Sequence, residues 1–102
     1  MSLPPPPEGP LPNGDDLAAQ FAAQWAALPA HVAEIVSLLP EYARTILVQH
    51  LSEYTALVSH ADAMTRSGSF GRVAGRIGAA HERDEINAAQ YRELMDYVRG
   101  LG

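Results

Sequence analysis

Apolar positions recur along this chain at helical spacing and nowhere alternate with a period of two, which predicts an all-α fold without strands. Leu17, Phe21, Trp25 and Leu28 follow at i, i+4, i+8 and i+11, a narrow stripe along an alanine-rich first helix. Asp15 and Asp16 put negative charge at its start, where the free N–H groups of a helix favour it. Leu28-Pro29 ends this helix, and a second Leu-Pro pair follows eleven residues later at Leu39-Pro40. Proline disfavours helical backbone in the residue before it and suits the first turn of the helix after it. Each pair therefore reads as a stop followed by a start, with Pro29 as the first residue of the second helix. That helix is short, with Val32, Ile35, Val36 and Leu39 on one face.

The longest periodic run predicts a third helix from Glu41 to Met64. Ala43, Ile46, Leu47, His50, Leu51, Tyr54, Leu57, Val58, Ala61 and Met64 fall within an arc of about 140°, as suits the central helix of a bundle. Thr65-Arg66-Ser67-Gly68-Ser69 reads as a loop by composition, with Ser69 capping a fourth helix from Phe70 to about Arg83. A fifth helix has the clearest start in the chain: Asn87 with Gln90 three residues on forms a capping box, and Ile86 in front of it is placed to staple onto Tyr91. Tyr91, Leu94, Met95, Val98 and Leu101 give it an apolar face, and Gly100 and Gly102 are expected to end it. The expected architecture is a small bundle of four to five helices forming one domain over residues 15–102. A Pro-rich tail over residues 1–14, holding six of the eight prolines, is expected to be disordered because proline fixes φ and removes backbone donors.

Composition narrows the chemistry. With 102 residues and 47 % hydrophobic content, the chain can build one small core. It has no cysteine, which removes disulfides, thiol nucleophiles, iron–sulfur clusters and cysteine zinc sites. All seven basic residues are arginine, so no lysine serves a Schiff base or a P-loop. The net charge of −5 argues against a dedicated polyanion binder. No stretch approaches the roughly 20 apolar residues of a membrane span, and no basic-then-apolar leader opens the chain. No membrane partner and a cytoplasmic location are expected.

The fourth helix carries the most information. Arg72, Arg76 and Arg83 fall within about 40° of one another on a helical projection, a cationic stripe read as an anion- or partner-binding face. Phe70, Val73, Ile77 and Ala80 form an apolar stripe beside it. Gly71, Gly75 and Gly78 make a ridge without side chains, read as a close-packing surface, since each glycine costs a helix interior about 1 kcal/mol against alanine. Charge is distributed unevenly. Residues 1–65 hold seven acids and one base, Arg44, whereas Arg66 to His81 holds three arginines and no acid. The basic helix is suited to phosphate, to the acidic remainder of its own bundle, or to a second copy of the chain.

Other constellations give less. The Asp84–Ile86 link between two helices has the length of a helix-turn-helix connection, but Glu93 and Asp96 on the fifth helix would repel a phosphate backbone. His81–Ile86 resembles half a calcium loop in outline, with Ala79, His81 and Arg83 standing where acidic ligands belong. His50 and His60 share a straight helix too far apart to hold one ion, so no metal and no cofactor are expected. No nucleophile elbow or comparable catalytic signature occurs, so no enzymatic activity is expected either. His50 lies among Ile46, Leu47, Leu51, Tyr54 and Leu57 and is expected to be buried. Burial disfavours an imidazolium, which would make His50 a pH-sensitive core residue; a position beside Glu53 would reverse that sign. The apolar faces of the first and third helices exceed what one small bundle covers, predicting a homodimer with Phe21, Trp25, Leu47 and Tyr54 at its interface. The functional expectation is a non-enzymatic helical interaction module, a regulatory or adaptor protein acting as a homo-oligomer. The alternative is a nucleic-acid-binding regulator using Arg66–Arg83.

Overall fold

The computed structural model describes residues 14–101, with side chains from Asp16 onward; the expected Pro-rich tail lies almost entirely outside the described residues. Five helices follow in chain order: α1 Gly14–Ala26, α2 Ala30–Val36, α3 Glu41–Leu57, α4 Ala63–Glu82 and α5 Ala88–Leu101. Among the described residues there is no strand, as the all-α pattern predicts, and no helix is long and apolar enough to cross a membrane.

The core is one cluster built from α2 to α5. Val32 and Val36 enter it from α2, Leu47, Val48 and Leu51 from α3, Val73 and Ile77 from α4, and Leu94 and Val98 from α5. Each set repeats at three or four residues, so one face of each helix is stripped of water while the others stay wet. Helix α3 packs against α4 and α1, while α5 packs against α4 and α2. From Asp16 onward helix α1 buries no residue fully; Phe21 and Trp25, stacked at 6.0 Å between ring centroids, lean on the edge of the core.

Both Leu-Pro pairs act as punctuation; α2 begins one residue after Pro29, and α3 begins at Glu41 as the sequence suggests. Pro29 and Pro40 are the N-caps of α2 and α3, in extended backbone. Their carbonyls accept the first helical hydrogen bonds, from Ala33 N–H at 2.9 Å and Arg44 N–H at 2.8 Å. The capping box of α5 forms as expected: Asn87 Oδ1 accepts from Gln90 N–H and Gln90 Oε1 accepts from Asn87 N–H, both at 2.8 Å. Gly100 does not end α5, which continues through Leu101.

The boundary between α3 and α4 differs from the sequence reading. Helix α3 stops at Leu57, and the segment expected to be a loop, Thr65–Ser69, forms part of the first two turns of α4. Asp62 explains the shift. Its carboxylate accepts the Thr65 N–H at 2.7 Å, satisfying a donor that would otherwise be orphaned at a helix start. Ser69, expected as the cap, lies inside α4 and is buried.

The Thr65 N–H bond holds the Asp62 carboxyl below the usual carboxylate range. A depressed folded pKa stabilises above the unfolded value of about 3.9 and is lost as pH falls through the folded one. Thermal melts of the unaltered protein and Asp62→Asn should therefore converge as pH falls below the unfolded value, because asparagine caps without titrating. Parallel curves from neutral pH to well below that value would remove Asp62 from the acid response.

The end of α4 is equally specific. The Asp84 N–H donates to His81 C=O and the Glu85 N–H to Ala80 C=O, both at 3.0 Å, closing the last turn in a Schellman motif. The motif needs a left-handed residue, and Asp84 takes it with φ 58°. Glycine carries no Cβ penalty there, so Asp84→Gly is expected to raise stability by about 0.5–1 kcal/mol and Asp84→Val to lower it. Urea denaturation of the two variants measures both signs.

Candidate functional site

The α4–α5 link and the start of α3 meet in a cleft of about 180 Å³. Leu39, Pro40 and Ala43 supply its apolar wall, Arg76 and Arg83 its cationic rim, and Tyr42 and Glu85 complete it. The structure thus brings two members of the expected arginine stripe together with the α2–α3 link. Arg72, one turn earlier on α4, is exposed and does not line the cleft.

The two rim arginines differ. Arg83 is held by Glu85 through two bonds, Nε to Oε2 at 3.0 Å and Nη2 to Oε1 at 2.9 Å. This fork-like pairing with Glu85 pushes the guanidinium further up from its already high range. The Schellman turn makes the pairing feasible, since it folds Glu85 back beside the helix end that carries Arg83. Arg76 is exposed and makes no hydrogen bond or ion pair with any described residue. It is the open donor of the cleft.

Tyr42 stands at the mouth with 76 % of its surface exposed, and Leu38, four residues before it, is 53 % exposed. Exposed apolar side chains this large are candidates for contact surface. Sequence reasoning passed over both. The signal was there: Leu38 falls off the apolar face of α2 and Tyr42 off that of α3, leaving each without a partner inside the bundle.

The other expected sites fare differently. Leu47 and Tyr54 are only 1 % and 6 % exposed, so within this chain they belong to the core instead of the solvent-facing surface expected of an interface. Phe21 and Trp25 are half-buried against that core. His50 is not a core residue. Its side chain is 20 % exposed and its Nδ1 lies 3.4 Å from Glu53 Oε2, the alternative position named above. Helix α3 turns the His50 edge of its apolar arc toward solvent and buries the Leu47–Leu51–Tyr54 line instead. A Cβ built at Gly71, Gly75 or Gly78 meets nothing within 4 Å, so none of the described residues packs closely on the ridge. Among the described residues no three His, Asp or Glu side chains converge as metal ligands would.

No protein-family model, no curated protein and no solved structure matches this chain.

Proposed function

We propose that this protein is a small interaction module, a regulatory or adaptor protein without chemistry of its own, that docks a second copy of itself at the Tyr42–Arg76 cleft. The observation that carries the reading is the exposed Tyr42 ring beside an unpaired Arg76 over an apolar wall. Aromatic and arginine side chains of this kind anchor protein contacts, the ring by burial and the guanidinium by capturing a carboxylate. A second copy fits the charge. The chain carries 12 acids against 7 bases, so a copy presents far more carboxylates than cations to Arg76.

Light scattering on the eluting peak of a sizing column, at micromolar concentration, tests this directly. A mass near twice 11.0 kDa is expected, falling toward the monomer in Tyr42→Asp and Arg76→Glu. An unaltered protein that runs as an 11.0 kDa species overturns the homo-oligomeric reading.

A second reading has its own support. Arg72 and Arg76 are exposed without partners, and no acid stands between Ala63 and Ala80 on α4. Nucleic acid would be held there through phosphate, with Arg72→Ala/Arg76→Ala weakening binding and flattening its salt dependence. Absence of a mobility shift at low salt removes it.

A further inference from the structure

A second hollow lies away from the cleft, in the seam where the end of α1 crosses α3 and α5. It is a hollow of about 310 Å³, partly open to solvent, at the lower end of the range for small-molecule sites. Leu28, Val48 and Leu51 form its floor, and Gln24, Ser52 and Tyr97 stand around it. Among the described residues no charged side chain lines it. We infer that this seam binds a small, neutral, monocyclic aromatic molecule carrying one hydroxyl group.

Size, polarity and uncommitted hydrogen-bonding groups each point that way. An apolar cavity of about 150 Å³ already accepts benzene, so this hollow has room for a ring and a substituent. A charged ligand would leave its water without meeting an opposite charge, which is costly. A neutral ring loses little by entering and gains the apolar floor. Its hydroxyl would meet partners that are still free: Gln24, Ser52 and Tyr97 make no side-chain hydrogen bond with any described residue. The nearby Thr55 hydroxyl, by contrast, is spent on Leu51 C=O at 2.8 Å. Burial also pushes the Tyr97 phenol up, so it remains a neutral donor through the physiological range, with the His31 ring packed edge-on at 6.4 Å. Helix α1 forms one wall without burying a residue of its own, so the wall can yield to admit a ligand. The site shares no lining residue with the Tyr42–Arg76 cleft, and it stands whether or not the protein self-associates.

The probe pair is p-cresol and p-toluate, which share a ring and a methyl group and differ in charge. Saturation-transfer NMR on the full chain, with fluorescence of the sole tryptophan, Trp25, as a second readout, gives the affinities. p-Cresol is expected to saturate with a Kd of about 1 mM or tighter, and p-toluate to bind at least about tenfold more weakly, as an unpaired ion must. Tyr97→Phe removes one hydroxyl without changing the hollow and should weaken p-cresol several-fold. Ala56→Leu, on the exposed rim, should block it. Non-saturable p-cresol binding, equal binding of the anion, or Ala56→Leu and Tyr97→Phe variants that are folded by circular dichroism and bind unchanged would each overturn the inference.

Discussion

Alanine in place of Gly71, Gly75 and Gly78 together is expected to stabilise the protein by about 2–3 kcal/mol. All three glycines lie inside α4, where each gives up more backbone freedom on folding than alanine does. The usual reason to keep such residues, close approach of another backbone, is missing among the described residues, because an added Cβ meets nothing within 4 Å at any of them. The substitutions touch no common partner, so their effects should add. Urea denaturation should show the midpoint rising in steps from single to triple variant with an unchanged slope. A loss of stability, growing with protein concentration, would mean that a second copy seats its backbone on this ridge, and the close-packing role would then be intermolecular.

Leu47→Ala is expected to act in the opposite direction and more strongly, costing about 3–5 kcal/mol. Leu47 is 1 % exposed at the centre of α3 and belongs to the cluster joining α2, α3, α4 and α5. Truncating it removes buried surface and leaves a hole that helices on several sides cannot all close. Against a total stability of about 5–15 kcal/mol, that is enough to leave the variant marginal at 37 °C. The measurement also separates two roles. A core residue lowers the denaturation midpoint equally at all protein concentrations, whereas an interface residue lowers it most at high concentration, where the unaltered protein is dimeric, and not at all where it is monomeric. Concentration dependence would return Leu47 to the interface.

The helices were legible because each buries one face, so its apolar residues had to repeat at helical spacing. The ends were legible where a local group settles them, as at Pro29, Pro40 and the Asn87–Gln90 box. The α3–α4 boundary was misread because Val58, Ala61 and Met64 continue the apolar arc of α3 past the true end. Met64 is in fact exposed, and the competing signal, Asp62 three residues before Thr65, is short and local. The candidate site was half legible. Periodicity grouped Arg72, Arg76 and Arg83, but which of them rims a cleft depends on where the α2–α3 link crosses α4, a tertiary fact. His50 shows the same limit: a broad apolar arc contains it, and only the packing angle of α3 decides which edge of that arc meets water.

The light attachment of α1 has a consequence for how the molecule opens. With no fully buried residue and α3 as its main neighbour, α1 can detach at a small fraction of the free energy that separates α3, α4 and α5. Amide hydrogen exchange should then fall into two tiers. The Ala18–Ala26 amides would exchange through a frequent partial opening that barely responds to Leu47→Ala. Those around Leu51, Ile77 and Leu94 would exchange only through global unfolding and would accelerate with it. Such a pattern would make the native state two-layered, a cooperative unit of four helices and a fifth that opens separately on its surface, carrying Trp25 with it.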